Sequence, residues 1–262
     1  MRILIRELQQ PKSSWVRKRR APDISFAGMY AQIGAAVTLD RIEGHTFVRT
    51  WLTDGGNVVD LGMNQGNFAR AIRKQYNCNV VGVEANPFLA RRFNEPGAPQ
   101  CFNLAISARK GPVRFFIDPG NSEAGSLLAV DEGLARPVEV EGIPFAEFYA
   151  ARGAKDVDLL KIDIEGAEID LFESVEPSIF AHTKQICVEF HAFLHPEHLP
   201  VIRRIIPRMQ AAGFYCCDFS TKYLDVLFAN KKLEHISKID EAQMIGHKYF
   251  TGAMRRLRNF CT

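Results

Sequence analysis

The chain has no CxxC pair, and its six cysteines, Cys78, Cys101, Cys187, Cys216, Cys217 and Cys261, are scattered along 262 residues. That argues against a zinc ribbon. Composition excludes a disulfide scaffold, and a reducing compartment is expected. No apolar run reaches the ~18 residues that a membrane-spanning helix needs. The opening stretch MRILIRELQQPKSSWVRKRR lacks the roughly 7–15-residue apolar segment of a secretory signal. Together these give the expectation of a soluble, cytoplasmic protein. Charge of one sign is scarce too: 33 basic against 30 acidic residues leave +3. Without clustering that is too little to make nucleic acid an expected partner. There is no internal repeat, no GxxxxGK[ST] string and no GxGxxG. A P-loop and the dinucleotide fingerprint are therefore absent.

What is present is an ordinary globular composition, 47% hydrophobic and 24% charged. It is sized for one large domain or one domain with additions. Residues 1–22 are polar and basic, ending in Arg17-Lys18-Arg19-Arg20 and Pro22. They read as a solvated arm, or as a contact for an anionic partner or membrane face. Residues 23–54 read as one or two helices ahead of the core. From Asn57 the pattern changes. A β-branched run at 57–62 ends at a glycine, and Phe68, Ala71, Ile72 and Tyr76 follow at helical spacing. A second strand is expected at 79–84, a helix opening at Pro87, and a third strand at 100–106. Strands and helices alternating through tight connections predict a parallel sheet with helices on its faces.

Further strands are expected at 113–117, 137–140, 157–162 and 185–190, with a turn-rich loop at 118–126. Helices are expected at 165–175 and 196–212, the second interrupted by Pro200 and Pro207. Residues 214–219 and 223–229, joined by Ser220-Thr221-Lys222, read as an antiparallel hairpin ending the sheet. The tail from Lys231 sets Arg255, Arg256 and Arg258 among Tyr249, Phe250, Met254, Leu257 and Phe260. It reads as a helix packed on its own domain, or as a surface for a membrane or partner.

Four strand ends carry chemistry. Asp60 is followed by Gly62 and Gly66 in VVDLGMNQGNF. Glycines let a loop turn sharply and let a ligand touch the backbone, and in open α/β sheets ligands bind beyond the carboxyl ends of the strands. Glu84 closes the next strand, 24 residues after Asp60, where a carboxylate can accept both hydroxyls of a ribose. A loop that holds a nucleoside without a phosphate cradle suggests S-adenosylmethionine, whose positive sulfonium tolerates neighbouring acids. In LLKIDIEGAE, Lys161 and Asp163 share a face of their strand. Asp163 sits where the ligand should be, a helix N-cap being its other reading. Glu165 and Glu168 suit the positive end of the following helix. In CVEFH, Glu189 and His191 share a face, and beside Asp163 His191 becomes a candidate base. His182, His195 and His198 read as surface residues.

At these four places the chain resembles the FkbM-type family of S-adenosylmethionine-dependent methyltransferases. The matching strings are VVDLGMNQGNF, VGVEANP, FNLAIS with GPVRFF, DLLKIDIEGAE, VEFH, AGF and VLFAN, in order over residues 55–230. LLKIDIEGAE is the most specific, and Met63 stands where the family has a small apolar residue. The resemblance implies an α/β, Rossmann-like class I methyltransferase fold: a mostly parallel seven-stranded sheet with a C-terminal antiparallel hairpin and helices on both faces. It divides the chain into a basic arm with helices (1–54), the methyltransferase domain (55–230) and a basic amphipathic tail (231–262). It implies O-methylation of a hydroxyl on a sugar, glycan or other small natural product. It places Asp60, Gly62, Asn64 and Gly66 around the methionine part of S-adenosylmethionine, Glu84 on the ribose, and Asn103 and Ala105 by the adenine. Asn86 and Asp163 complete the cofactor set.

In-line displacement at the sulfonium carbon needs an acceptor oxygen about 3 Å from the methyl group, together with a base or a metal. The catalytic candidates are Asp163, Glu189, His191 and Lys161. His191 is the better base by its ordinary pKa, while Asp163 or Glu189 would serve if burial raised theirs. Asp163, Glu189 and His191 could instead hold Mg²⁺ or another divalent ion, a reading ranked second. The loop at 118–126, with Ser122 and Ser126, and the N-terminal segment are expected to shape the acceptor pocket. Two other readings stand beside this one. An NAD-dependent oxidoreductase is weakened by the missing GxGxxG, and a non-catalytic S-adenosylmethionine-binding module is allowed because fold does not dictate function.

Overall fold

The computed structural model describes residues 34–117, 125–126, 136–151, 156–193 and 195–260. The basic arm 1–22, most of the loop 118–126 with Ser122, and the side chains of Ser126, Arg255, Arg256 and Arg258 lie outside what is described. The first elements are strands: β1 (Leu39–Ile42) and β2 (His45–Val48) pair antiparallel. Between them Glu43 and Gly44 both take positive φ, 47° and 92°, the two-residue turn whose twist suits a hairpin. This corrects the expected helices over this stretch. Each strand is four residues long, too short for its period to show against a helical one.

Next come β3 (Asn57–Leu61), α1 (Asn67–Tyr76), β4 (Asn79–Val83), α2 (Pro87–Ala90) and β5 (Gln100–Phe102). They are followed by β6 (Ala105–Ile106), β7 (Gly111–Ile117), β8 (Gly125–Ser126), β9 (Arg136–Ile143) and α3 (Phe145–Ala151). The chain continues through β10 (Leu159–Ile162), α4 (Glu168–Ser174), β11 (Gln185–Val188), α5 (Leu199–Ala211), β12 (Phe214–Asp218), β13 (Val226–Asn230) and α6 (Lys238–Phe260).

The main sheet has seven strands in the order β12-β13-β11-β10-β3-β4-β5. The five from β11 to β5 run parallel, and β13 and β12 close the edge antiparallel, as the sequence predicts. A second sheet, β6-β9-β7-β8, takes up the extra strands. The single strand expected at 100–106 is split between the two sheets. At the break, the Asn103 amide donates to the carbonyls of Glu84 and Ala85 at 2.9 and 3.1 Å, and Leu104 N bonds back to Phe102 O at 3.0 Å. Pairing with β4 ends there and β6 joins β9. The helix expected at 165–175 opens only at Glu168, because Glu165 and Gly166 take left-handed φ of 54° and 102°. Pro200 lies in the first turn of α5, where its missing N–H costs nothing. Pro207 lies inside α5 without ending it, so neither proline interrupts the helix as expected; Ile202, Ile205 and Met209 hold it on the core.

Strand alternation sorts the core into two faces. Val59, Leu61, Leu160, Ile162, Ile186 and Val188 meet Phe145, Phe172, Phe180, Phe190 and Phe228 on one side. Val58, Leu159 and Cys187 meet Phe47, Phe68 and Ile72 on the other. Burying each such large side chain contributes about 1.5–3 kcal/mol, so Phe47 and Val48, both fully buried, fasten the first hairpin to the sheet. Met244 of α6 packs with Val48, Trp51 and Leu227. The Asp240 carboxylate accepts from Ala36 N and Val37 N at 2.8 and 3.0 Å, tying the tail helix to the segment before the hairpin.

Candidate active site

The register sets Gly82, Asp60, Lys161 and Cys187 side by side across four strands. Alternation points Asp60 and Lys161 to the same face. Both are buried, and Lys161 Nζ lies 3.1 Å from Asp60 Oδ1, 2.7 Å from Gly62 O and 3.3 Å from Asp163 Oδ2. Burial pulls the lysine pKa down, but Asp60 and Asp163 outweigh it and hold the ammonium above its ordinary range. Burial raises the Asp60 pKa against the pull of Lys161, and among the described residues its Oδ2 has no hydrogen-bond partner. This ion pair pins the loop after β3 to the end of β10.

That loop runs over the carboxyl ends of β3 and β4. Gly62 N and Met63 N both donate to Val83 O at 3.0 Å. Gly62 has φ 83°, and a Cβ there would overlap the Asp163 carbonyl oxygen. Gly66 caps α1 at φ 77°, and a Cβ there would lie 2.5 Å from the Phe93 ring. The two glycines thus let the loop pass close to the protein's own atoms. Gly62 also lines the cavity described below, so its backbone stays open to a ligand on that side.

Glu84 closes β4 and is 7% exposed. Its Oε2 accepts from Asn64 N at 2.6 Å and its Oε1 from Asn86 N at 2.8 Å. Burial raises its pKa, and the two N–H groups oppose that rise. The Asn86 side chain accepts from Phe88 N at 3.0 Å and caps α2. In front of Glu84 opens a cavity with Gly62, Asn64, Asn86 and Asp163 at one end and Val83, Leu104, Ala105, Ile106 and Phe115 as apolar walls. Ile164 and Glu165, which follow Asp163 in the chain, also line it.

Asp163 is the hub of the charged groups. Its Oδ2 lies 3.3 Å from both Lys161 Nζ and His45 Nε2, and its Oδ1 lies 3.7 Å from His191 Nε2. Burial alone would raise its pKa, but Lys161, His45 and His191 hold the carboxylate well below the usual range. His191 is 5% exposed and clamped on both sides, Nδ1 3.0 Å from Glu168 Oε1 and Nε2 3.3 Å from Glu165 Oε2. Burial lowers its pKa, yet Glu168, Glu165 and Asp163 raise it to about 9. Glu168, 1% exposed, also accepts from Ile164 N and Gly166 N at 2.9 and 3.1 Å. It therefore shapes the turn before α4 in addition to opening that helix. Burial pushes the Glu165 carboxyl up to about 7, with Asp163, Glu168 and Glu189 adding to the rise and His191 opposing it. Burial and Asp163 also raise the Glu189 pKa.

Six of the nine expected cofactor residues, Gly62, Asn64, Glu84, Asn86, Ala105 and Asp163, line the cavity. Asp60, Gly66 and Asn103 do not; they pair with Lys161, cap α1 and hold the carbonyls of Glu84 and Ala85, respectively. A second cavity joins the first at Gly62, Asn64 and Asp163 and is walled by Glu43, His45, Gln65, Asn67, Phe68 and Lys161. The set Asp163, Glu189 and His191 offered to a divalent ion does not form one group. Donor atoms gather as His45–Asp163–Glu189 and as Asp163–Glu165–His191. Lys161 already supplies positive charge to Asp163 in both, and a metal at His191 would have to displace the ring proton that the neighbouring carboxylates hold. Sequence reasoning missed His45, Glu165 as more than a helix-end acid, and the Phe115 wall. The only signals were the Glu43-Gly44 turn before His45 and the Glu165-Gly166 pair after Asp163.

The family model described as the methyltransferase FkbM domain matches residues 60–216. A curated relative, 2-O-methyltransferase NoeI of Sinorhizobium fredii (strain NBRC 101917 / NGR234), is 25% identical over 199 residues, covering 67% of this chain and 80% of the relative. Among solved structures, a methyltransferase from Pyrococcus furiosus is 16% identical over 69% of this chain and 78% of its own, with a TM-score of 0.34. Aeropyrum pernix fibrillarin, solved with natively bound S-adenosyl-L-methionine, is 12% identical over 74% and 81%, with a TM-score of 0.37. On the strength of the match over residues 60–216, which takes in the cavity-forming strand ends, the chain belongs to the FkbM methyltransferase family.

Proposed function

We propose that this methyltransferase transfers a methyl group from S-adenosylmethionine to a hydroxyl of a sugar, glycan or similar small molecule. The observation that carries the reading is Glu84. Each of its oxygens is fixed by one backbone N–H, which leaves each a lone pair for one hydroxyl of a ribose diol. The apolar walls from Val83 to Phe115 suit an adenine ring. The groups at the Asp163 end, several of them acidic, suit a cationic sulfonium better than a pyrophosphate. When bound, S-adenosylmethionine supplies the methyl group as an activated electrophile. Gly62, Asn64 and Asp163 would border its methionine part, and the protein's remaining task is to orient the acceptor and take its proton.

The residues at that end support a hydroxyl acceptor: carboxyl and imidazole groups gather there, and among the described residues no cysteine lines either cavity. The relative's name, a 2-O-methyltransferase, supports the same class of acceptor. Among the described residues no helix is long and apolar enough to cross a membrane. The free thiols of Cys78, Cys101, Cys187, Cys216 and Cys217 suit a reducing compartment, and the cytoplasm is the location that goes with this reading. The basic ends would bring the enzyme to an anionic membrane face when the acceptor is lipid-linked.

Titration calorimetry with S-adenosylhomocysteine and NAD in parallel tests the cofactor, with heat expected only from the first. Incubation with S-adenosylmethionine and a panel of free and lipid-linked glycans tests the acceptor through the mass gain of one methyl substitution. Binding of NAD alone would overturn the reading.

A further inference from the structure

The cavity, if it serves methyl transfer as proposed above, must also dispose of the hydroxyl proton. Forming the new O–C bond and breaking the S–C bond, with its electron pair left on sulfur, releases that proton from the acceptor oxygen. His191 is poorly placed to receive it. Both ring nitrogens face carboxylates, Nδ1 at 3.0 Å from Glu168 and Nε2 at 3.3 Å from Glu165. With a pKa raised to about 9 the ring is an imidazolium near neutral pH and has no lone pair to offer. Asp163 is compensated by Lys161, His45 and His191, which makes it a weak base.

Glu165 is different. It lines the cofactor cavity beside Asp163 and Ile164. Its backbone sits at φ 54°, a conformation a non-glycine residue adopts at a cost and that recurs at functional sites. The turn is enforced from behind, because Glu168 accepts the N–H groups of Ile164 and Gly166 on either side of it. Glu168, His191 and Glu165 thus form a chain from the buried interior to the cavity wall. We infer that Glu165 is the catalytic residue that takes the acceptor's hydroxyl proton, with His191 and Glu168 as the positioning residues behind it. Among the described residues, the groups that face it are His191 and Glu189 from the segment after β11, and Asp163 and Glu168 from its own segment. Burial against them leaves its carboxyl poised at about 7, where a base is both available and strong enough.

The first test needs no acceptor. Carboxyl ¹³C NMR on the full chain, with Glu165→Gln as the assignment control, should show one glutamate titrating near neutrality that the variant lacks. His191→Gln should move that titration upward, since the imidazolium is what holds it down. A Glu165 carboxyl that titrates as an ordinary exposed glutamate, or that ignores His191→Gln, overturns the assignment. The second test uses the acceptor found by mass gain. Glu165→Gln should lower kcat/KM by about 10²–10⁴-fold and remove the rise in rate through neutral pH, while S-adenosylhomocysteine affinity stays within a few-fold. If S-adenosylhomocysteine does not bind the wild type, the methyltransferase reading fails. If it binds and Glu165→Gln turns over like wild type, only the role of Glu165 fails.

Discussion

His45 Nε2 lies 3.3 Å from Asp163 Oδ2, joining the first hairpin to the end of β10. The histidine is almost fully buried, with the Phe68 ring edge-on at 5.7 Å, and among the described residues its Nδ1 has no hydrogen-bond partner. Residue 45 lies ahead of the region matched by the family model, yet the hairpin inserts it into the same charged cluster as the family's own strand end.

His45→Ala should therefore cost more than an ordinary hairpin substitution. It takes a partner from Asp163 and leaves a void beside Phe68. We expect a loss of about 1–3 kcal/mol in urea unfolding. Combined with Asp163→Asn, the two changes should couple by about 0.5–3 kcal/mol in a double-mutant cycle. Strict additivity would show that the 3.3 Å approach carries no energy.

Lys161→Met should be among the most damaging single changes. It strands Asp60 in the sheet with no counter-charge, for a loss of about 3–5 kcal/mol. Adding Asp60→Asn should return part of that loss, because the buried charge is then gone as well. Denaturant unfolding of both variants checks this, and a double variant weaker than Lys161→Met alone would contradict it.

The raised pKa of His191 fixes the sign of a pH effect. The folded ring titrates at about 9 against an ordinary 6.5. Its contribution is complete below pH 6.5 and is lost as pH rises through 9. Glu165 acts in a lower window, from its ordinary 4.5 to about 7, again with stability falling as pH rises. Melting temperature against pH should decline through both windows in the wild type. His191→Gln should flatten the upper one and Glu165→Gln the lower. Parallel curves for all three proteins would refute the assignment of these shifts.

Gly62→Ala forces both a left-handed backbone and a clash with the Asp163 carbonyl. A destabilisation of at least about 2 kcal/mol and weaker S-adenosylhomocysteine binding are expected together, read by thermal shift with and without the ligand.

The parallel strands β3, β4, β10 and β11 are legible in the sequence because each is a short, largely apolar run closed by a glycine or an acid, and Glu84 is legible as such an acid. Asp60 looks the same on paper. Only the register, which sets it beside Lys161 on the same face of the sheet, shows that its carboxylate is taken up by that ammonium. The hairpin from Leu39 to Val48 escapes because Glu-Gly is a weaker turn signal than Asn-Gly and four residues carry little periodicity. Glu165 passes for a helix-end acid because the left-handed turn that swings it to the cavity depends on Glu168 and His191, which tertiary contacts bring together. The base reading for His191 rested on its ordinary pKa, which three surrounding carboxylates change.

The most direct measurement is calorimetric titration of S-adenosylhomocysteine into wild type and Glu84→Gln. In the variant one oxygen becomes an NH₂ group that faces a backbone N–H and cannot accept the second ribose hydroxyl. Saturable one-to-one binding by the wild type, weakened at least tenfold in a Glu84→Gln variant that is still folded by circular dichroism, is the predicted result. No heat from the wild type, or equal affinity in both proteins, would contradict a nucleoside seated on Glu84.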